Sequence, residues 1–553
     1  MAGYMRGSLD IMRVRAEREW IRAAFPIQLH ELAVAILLLL AYFLPAAASS
    51  SGDIDYSRIE HAIEQRDFRA AQRELERRLE SDPQDSRAHM LLGIVYDEEN
   101  EPKSATAQFR ISIRLRPKDP TPHVNLGKSN AFHGDLKGAA AEFRTALALD
   151  PRNTTARENL GLLFLGERKY DEALAVFQKV VALDPGDVVS WANLFKTQLA
   201  LKKIPEARAS AKRVIELSPA SSDLPGELGA MQAAAGDYTG AIESLEKARA
   251  SKSPSYNALY DLGLAYFKAG RLNSAITTLE SLRHDRAVAE VEDLLGEVYE
   301  ENRQFLDAVK CYQRAAELEP GNRDYRFDFL YELMKHHSFG AATPVAESAV
   351  RDFPDSLRFH LALAGSYFGQ GRFTDSTVAY LETARKFREA ELPLYLLAIA
   401  SETTGQKTEE TMALVSAYGK SHSEQFWPYY YLGKEALRTA VKSGGTDGLP
   451  RAEELLKMSI VRNPSHAESH YTLGNLFVRL QRWAEAIEEY QTATKLKPDL
   501  TEAHYHLCQA YRRTGHLKEA EYEAEVTDRL NQFEAQKVRE GAQVDVFIYK
   551  LRE

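Results

Sequence analysis

An alanine recurs every 34 residues along most of the chain, and this period constrains the fold more than any other feature. With one deletion before the eighth member, the alanines stand at positions 71, 105, 139, 173, 207, 241, 275, 308 and 342. Prolines keep the same period at positions 83, 117, 151, 185 and 219, and again at 320 and 354. Fixed periods of this length are typical of stacked supersecondary units. The 553 residues are therefore expected to form one array rather than several separate domains.

Each 34-residue unit has the pattern of a helical hairpin. With Ser86 as position 1, apolar or small residues recur at positions 4, 7, 8 and 11 and again at 20, 24, 27 and 28. Both sets have the spacing of one helix face. Unit 86–119 shows the main positions as Leu92, Gly93, Tyr96, Ala105, Phe109 and Pro117. One hairpin exposes too much apolar surface to fold alone, so the stacking of neighbours must supply the core.

These positions resemble the tetratricopeptide repeat, because the 34-residue period, the Leu-Gly pair and the alanine and proline phases coincide. Unit 467–500 follows the family pattern almost throughout, with Leu473, Gly474, Phe477, Trp483, Ala486, Tyr490, Ala493 and Pro498. The resemblance implies an all-α, TPR-type α-solenoid, a right-handed superhelix of about 14 helix-turn-helix repeats. We expect this array to span residues 52–534.

Two irregular stretches and a tail modify the expected array. The units at 357–425 are degenerate, because position 20 is Ser376 in one and Glu410 in the next, and we place one added residue near 425. An insertion near 442–449 lengthens the turn inside a later hairpin. Residues 535–553 are expected to form the end of the last helix and a C-terminal tail.

Composition and motifs give no indication of enzymatic chemistry. Seventy Lys and Arg against eighty Asp and Glu give a formal charge of −10, which disfavours a nucleic-acid partner. We find no phosphate loop, no paired zinc-binding histidines and no nucleophile elbow. Cys311 and Cys508 are interpreted as small core residues. Histidines recur at position 4, and four of them are interpreted as core-edge residues: His123, His360, His470 and His504. We therefore expect no enzymatic activity, no cofactor and no metal site.

The first fifty residues have the pattern of an export signal. Residues 32–44 are thirteen uncharged, mostly apolar residues, followed by Pro45 and a run of alanines that ends at Ala48. Thirteen helical residues span about 20 Å, which is shorter than a hydrocarbon core of about 30 Å. We expect residues 1–48 to be a signal peptide cleaved near Ala48, or alternatively an N-terminal anchor in the inner membrane. The array is thus expected to be exported, periplasmic or secreted.

Positions 2, 5, 9, 12 and 13 of each unit form a second stripe on the first helix of the hairpin, again at spacings of three and four. We call it the first-helix stripe. The family resemblance implies that this stripe lines the concave groove of the superhelix and binds partner peptides. Next to it, Asn125, Asn159 and Asn193 share position 6, one repeat apart. Side-chain amides both donate and accept hydrogen bonds, so we predict an asparagine ladder that binds an extended peptide backbone.

One part of the stripe is strongly acidic. Its five residues in the unit that begins at Ala289 are Glu290, Asp293, Glu297, Glu300 and Glu301. The adjacent units contribute aromatic side chains, Tyr260 and Phe267 on one side and Phe327 and Tyr331 on the other. Apolar rings beside a concentrated negative charge suit a partner segment that presents Lys or Arg next to aromatic or aliphatic residues. The alternative is a solvated acidic face between ordinary groove residues.

Taken with the resemblance, these features predict a non-enzymatic scaffold or adaptor that binds protein partners in the cell envelope. Its partners are expected to be proteins or peptides and not nucleic acid, and contact with a membrane is expected only through an uncleaved N-terminal segment. The alternative is a regulatory or substrate-presenting subunit of an envelope enzyme complex, such as a glycosyltransferase, a polymer synthase or a secretion machinery.

Overall fold

The described part of the chain consists of helices and the turns between them. The computed structural model describes residues 56–218, 223–251, 253–285 and 287–537, and these residues form 28 α-helices and no strand. The helices fall into two compact units that divide after Ala287. The first unit contains α1 Ser57–Glu64, α2 Phe68–Ser81, α3 Ser86–Glu98, α4 Pro102–Leu115, α5 Thr121–Phe132, α6 Leu136–Leu149, α7 Thr154–Gly166, α8 Tyr170–Leu183, α9 Val188–Ala200, α10 Ile204–Leu217, α11 Leu224–Ala234, α12 Tyr238–Arg249, α13 Tyr256–Lys268 and α14 Leu272–Asp285. The second unit contains α15 Ala289–Glu301, α16 Phe305–Leu318, α17 Arg323–Lys335, α18 Phe339–Asp352, α19 Leu357–Gly369, α20 Phe373–Lys386, α21 Glu391–Thr404, α22 Thr408–Ser421, α23 Trp427–Ser443, α24 Leu449–Arg462, α25 Ala467–Arg479, α26 Trp483–Leu496, α27 Thr501–Thr514 and α28 Leu517–Lys537.

Successive helices pair into hairpins whose cores use the periodic alanines. Every alanine of the 34-residue period is completely buried, from Ala71 on α2 to Ala342 on α18. Each of them lies on the second helix of its hairpin, at position 20. The burial confirms the helical-hairpin phase and the all-α solenoid fold that the sequence predicts.

Position 8 of the first helix packs against position 24 of the second helix at very short range. A Cβ atom on Gly93 would lie 2.7 Å from Cε1 of Phe109, and one on Gly474 would lie 2.6 Å from Cε1 of Tyr490. No ordinary side chain fits in that space, because protein interiors are packed as densely as organic crystals. The glycine of the Leu-Gly pair is therefore required by the ring that covers it.

Two hairpins reverse the sizes of this pair. On α9 and α10, Phe195 occupies position 8 and Ala211 occupies position 24, whereas α17 and α18 have Leu330 and Ala346. All four side chains are buried, and each pair belongs to a single core cluster. One large and one small residue thus fill the helix crossing in either order, which keeps the packed volume similar.

Several histidines at position 4 connect their hairpin to the turn before it. In His470 the Nε2 atom lies 3.1 Å from the carbonyl oxygen of Pro464, and Nδ1 lies 2.6 Å from Oε2 of Glu489 on the second helix. His504 makes the same two contacts with Pro498 and Glu523. These rings are 7–8% exposed, and His123 and His360 are half-buried, which confirms the core-edge interpretation. Cys311 and Cys508 are also buried, as predicted.

Each irregular stretch has its extra residues inside one hairpin, between the start of the first helix and the start of the second. Position 20 of the hairpin formed by α21 and α22 is the fully buried Thr411, whereas Glu410 is partly exposed and pairs with Arg385. The prediction of Glu410 at position 20 and an added residue near 425 was therefore wrong. The extra residue lies in the turn before α22, where Gly405 and Lys407 have positive φ values of 68° and 55°.

The larger insertion lies inside its hairpin, as expected, but part of it is helical. α23 has 17 residues where most first helices have 13, and it ends before Gly444 with a φ of 67°. α28 is also long, with 21 residues. The predicted signal or anchor segment 1–48 and the tail beyond Lys537 lie outside the described residues. Within the described residues, every helix is too short or too polar to cross a membrane.

Candidate partner-binding surface

The first-helix stripe stays accessible in some hairpins and is closed in others. On α3 none of its five residues is buried, and the same holds on α7 and on α27. On α17, by contrast, three of the five are buried, namely Phe327, Tyr331 and Met334. A side chain can anchor a partner only where solvent reaches it, so the open stretches are the candidate surface. The stripe residues of these three helices are Arg87, Met90, Ile94, Asp97 and Glu98 on α3, Thr155, Glu158, Leu162, Leu165 and Gly166 on α7, and Glu502, Tyr505, Gln509, Arg512 and Arg513 on α27.

The three asparagines at position 6 do not form a ladder of equivalent amides. Asn159 donates from Nδ2 to the carbonyl oxygen of Thr155 on its own helix at 2.8 Å. Asn193 is only 6% exposed, and its Nδ2 atom has no hydrogen-bond partner among the described residues. Asn125 is half-buried. The predicted ladder is thus limited to Asn125 and Asn159, because a buried amide cannot reach a bound peptide.

Two opposite charges that the sequence reasoning missed interact electrostatically across these repeats. Lys128 on α5 and Glu158 on α7 occupy positions 9 and 5 of successive repeats. Burial lowers the pKa of Lys128, and the charge of Glu158 only partly offsets this. Burial together with the charge of Asp187 raises the pKa of Glu158 to about 7, against the smaller opposing effects of Ser190 and Lys128. A comparison of position 9 in one unit with position 5 in the next unit would have indicated this pair.

Tyr260 and Phe267, the aromatic residues predicted on one side of the acidic stripe, lie on α13 of the first unit and are half-buried. The ammonium group of Lys268 lies 4.8 Å from the centre of the Phe267 ring. The preceding first helix, α11, has mostly small stripe residues. A Cβ atom on Gly226 of α11 would lie 3.5 Å from the Cβ atom of Ala258 on α13. The two first helices therefore approach each other closely here.

The acidic stripe on α15 is graded in exposure. Glu290 and Glu301 are exposed, whereas Asp293, Glu297 and Glu300 are half-buried. Glu300 is the most strongly engaged, because it contacts the ammonium of Lys335 and lies 3.0 Å from Nε2 of His336. The five carboxylates are therefore not equivalent, and only the outer ones face solvent fully.

The environment of Glu300 sets its protonation. Burial alone would raise the pKa of Glu300, but hydrogen bonds with Glu332, Lys335 and His336 and the charge of Lys335 lower it to about 2. Glu300, Glu332 and His336 have ligand atoms within 4.8 Å of one another, so these three residues could also hold a cation. The ammonium group of Lys335 already lies against Glu300 in this cluster.

Phe327 and Tyr331 are not available as anchors on the other side of the acidic stripe. They are 3% and 6% exposed and belong to the main core cluster of the second unit. The Phe327 ring lies 6.0 Å from the Phe359 ring and is covered by the guanidinium of Arg358 at 4.6 Å. The prediction that these rings form part of an open groove was wrong, because both are buried in the core and side chains of α19 cover Phe327.

Tyrosines at position 5 are a second feature that the sequence reasoning missed. The last four hairpins each have one, on α21, α23, α25 and α27: Tyr395, Tyr430, Tyr471 and Tyr505. The first three are half-buried and Tyr505 is 50% exposed. Reading position 5 down the C-terminal units, rather than position 9 or 12, would have found them.

Comparison with protein families gives matches along most of the chain. Models described as tetratricopeptide repeat match residues 56–120, 124–188 and 327–391, 164–224 and 232–298, and 293–322. A model described as TPR repeat matches residues 474–515. No curated protein sequence shows significant similarity to the chain.

Solved structures of low sequence identity are also similar to parts of this chain. MamA is 21% identical, with 29% of this chain and 93% of MamA covered and a TM-score of 0.27. Yeast Tom70 is 14% identical, with coverages of 82% and 99% and a TM-score of 0.30. A chain of the APC/C hetero-tetramer Cut9-Hcn1 is 12% identical, with coverages of 94% and 99% and a TM-score of 0.33.

Proposed function

Because this chain belongs to the tetratricopeptide repeat family, we propose that it binds extended segments of partner proteins along the first-helix stripe. The family fold serves as a scaffold for protein-protein interaction, and its members are generally non-catalytic. The observation that carries the proposal is the open stripe on α3, α7 and α27, where side chains of mixed charge and apolarity remain accessible next to a closed core. Peptide-binding faces combine such apolar anchors with polar groups.

Two regions of the stripe suit different partner chemistry. In the first unit, the amides of Asn125 and Asn159 and the pair of Lys128 with Glu158 offer hydrogen bonds to a peptide backbone. In the second unit, Glu290 and Glu301 are exposed and favour Lys or Arg in a partner segment. We expect binding at the acidic region to weaken with salt, since exposed charges are screened within about 10 Å at 0.1 M ionic strength.

Site-specific photo-crosslinking tests the proposed face directly. A photoreactive residue at the exposed stripe position Thr155 should crosslink to a partner segment, which mass spectrometry then identifies. The matched control is Ala175, which is exposed on the second helix α8 and lies off the stripe. Equal crosslinking of the same segment from both positions would contradict a stripe-specific site.

We also propose that the array is exported, on the evidence of residues 32–44 and the small residues that end at Ala48. N-terminal sequencing of protein recovered from the envelope fraction tests this. A mature chain that begins just after Ala48 supports a cleaved signal peptide. A chain that keeps residues 32–44 and sediments with membranes supports the anchor, and recovery of the intact chain from the cytoplasm contradicts export.

A further inference from the structure

The second unit has a tyrosine at position 5 of four successive repeats, and we call this row the tyrosine ladder: Tyr395, Tyr430, Tyr471 and Tyr505. Each ring contacts an aromatic ring of the next repeat or one shared with it. Tyr395 meets Trp427 edge-on at 5.5 Å, and Tyr430 lies 4.8 Å from His466, both distances between ring centres. Tyr471 and Tyr505 both pack against His506, at 5.7 and 5.3 Å. Rings from one repeat to the next are thus held in fixed positions.

The spacing of the ladder matches one kind of extended peptide. α23 contacts α25, and α25 contacts α27, so these first helices are direct neighbours. Packed helices lie about 8–10 Å apart, which sets the interval between successive tyrosines. A polyproline II helix has three residues per turn and rises about 3.1 Å per residue, so its turns repeat every 9 Å or so. Every third residue of such a peptide can therefore meet one of the tyrosines on these three helices, Tyr430, Tyr471 and Tyr505.

Tyrosine also has the chemistry that this ligand requires. A polyproline II segment has no internal hydrogen bonds, so its carbonyl oxygens remain free to accept from a phenol hydroxyl. The flat rings pack against pyrrolidine rings, as in other aromatic-lined grooves that bind proline-rich segments. Because proline presets the extended conformation, binding costs little conformational entropy.

The charges beside the ladder define what flanks the proline-rich segment. Glu402 and Glu468 are already paired, with Lys434 and Lys497. Three arginines at stripe positions 12 and 13 of α25 and α27 are exposed and make no ion pair with a described residue; we call Arg479, Arg512 and Arg513 the terminal arginines. Exposed Glu502 lies on the same helix as two of them but at its opposite end. This end of the ladder therefore complements acidic residues in a partner.

Single-stranded nucleic acid also stacks on aromatic rings, but it needs a basic groove along its backbone. The lysines beside the ladder are paired with glutamates, and the whole chain has a formal charge of −10. These charges favour a peptide ligand.

We propose that the tyrosine ladder binds a proline-rich partner segment in the polyproline II conformation, with flanking acidic residues on the terminal arginines. This assignment rests on the proposed function, because it specifies the class of partner segment that the first-helix stripe of the second unit binds.

Fluorescence anisotropy with the full chain and two labelled peptides tests the assignment. One probe is an oligoproline of about nine residues followed by aspartates, long enough to span three tyrosines. The other replaces the prolines with alternating glycine and serine and keeps the aspartates. We expect the oligoproline probe to bind at least about tenfold more tightly. Equal affinity for the two probes, or no binding at about 1 mM protein, overturns the assignment.

Variants separate ring recognition from charge. Tyr505→Ala removes an exposed ring and should weaken the oligoproline probe about tenfold, whereas Tyr505→Phe keeps the ring and loses only the hydroxyl hydrogen bond, so it should weaken the probe by a smaller factor. Tyr522→Ala is the matched control, because Tyr522 is 62% exposed on α28 and lies outside the ladder. Arg512→Glu combined with Arg513→Glu should weaken both probes and reduce their salt dependence. Unchanged affinity in Tyr505→Ala together with Tyr430→Ala, in a chain of normal helicity, overturns the site.

Failure of every ladder experiment, with stripe crosslinking at Thr155 intact, would overturn this inference and leave the proposed function standing.

Discussion

The Cβ position of Gly127 lies 2.6 Å from Cε1 of Phe143, so the phenylalanine ring of α6 occupies the space where a side chain on α5 would stand. Glycine normally costs about 1 kcal/mol in a helix interior relative to alanine. Here the packing of one ring reverses that preference. The same relation holds in most hairpins, with the large residue on the second helix.

Exchanging the two sizes tests whether volume alone decides this contact. Gly127→Phe should destabilise by about 1–3 kcal/mol through overpacking, and Phe143→Ala by about 3–5 kcal/mol through a cavity. The double variant reproduces the arrangement of Phe195 and Ala211 and should be more stable than the sum of its single changes predicts. Urea unfolding midpoints followed by circular dichroism measure this. Strict additivity would show that the two positions do not share one space.

Ala173→Arg should unfold several hairpins together. Ala173 is fully buried at a close helix crossing, which has no room for a guanidinium and would remove its charge from water. We expect a loss of more than about 3 kcal/mol, spread over neighbouring hairpins because each depends on the next for its core. Ala175→Arg, on the exposed side of the same helix, is the control. A thermal melt of Ala173→Arg that matches the control would contradict the assigned phase.

The link between His470 and Glu489 should make stability depend on pH. Burial lowers the pKa of His470, but hydrogen bonds to Glu489 and to the Pro464 carbonyl, with the charge of Glu489, more than offset this and raise it. A histidine with a raised pKa stabilises the fold fully below its unfolded pKa of about 6.5. That contribution is lost as pH rises through the folded value.

Glu489→Gln should therefore reduce the free energy of unfolding more at about pH 5.5 than at about pH 8.5. These two pH values lie on either side of the pKa of a free histidine, which is about 6.5. Urea unfolding at the two pH values measures the difference, and an NMR titration of the His470 ring should show a lower pKa in the variant. Glu488→Gln, at an exposed neighbouring position, controls for loss of charge alone. An equal effect at both pH values would rule out the protonated histidine as the cause.

The hairpin phase could be predicted because it is set by residue size at fixed positions. Ala173 and Gly127 recur in sequence for the same reason that they are buried in the structure, namely that neither crossing accepts a larger side chain. The shift at Glu410 could not be predicted, because neither it nor Thr411 is an alanine and the extra residue fits in a turn at Gly405 and Lys407.

Whether a stripe residue is exposed depends on the neighbouring repeat as well as on its own position. Position 5 is open at Tyr505 and closed at Phe327, although both are aromatic and have the same register. The difference arises from the neighbouring first helix, since Arg358 and Phe359 on α19 cover Phe327. A single repeat does not contain that neighbour, so reading one unit at a time cannot distinguish a core ring from a surface ring.

The ion network around Glu300 changes how the acidic stripe should be tested. Glu300→Gln removes the charge that Lys335 and His336 contact, so we expect a loss of about 2 kcal/mol at neutral pH. A carboxylate whose pKa falls from 4.5 to about 2 stabilises the fold above pH 4.5. That contribution disappears as pH falls towards 2. The variant and the parent should therefore converge in stability across this window.

Glu301→Gln is the matched control, because Glu301 is exposed on the same helix and its substitution should leave stability unchanged within about 0.5 kcal/mol. Replacing Glu290 and Glu301 together thus tests partner binding without disturbing the fold, whereas a set that includes Glu300 confounds the two effects. Urea unfolding of each variant between pH 3 and pH 7 provides the measurement, over the window in which carboxylates titrate. If Glu300→Gln were as stable as the parent at neutral pH, the contacts with Lys335 and His336 would contribute nothing to the stability of the fold. All five carboxylates of the stripe could then be replaced together in a test of binding to a basic partner.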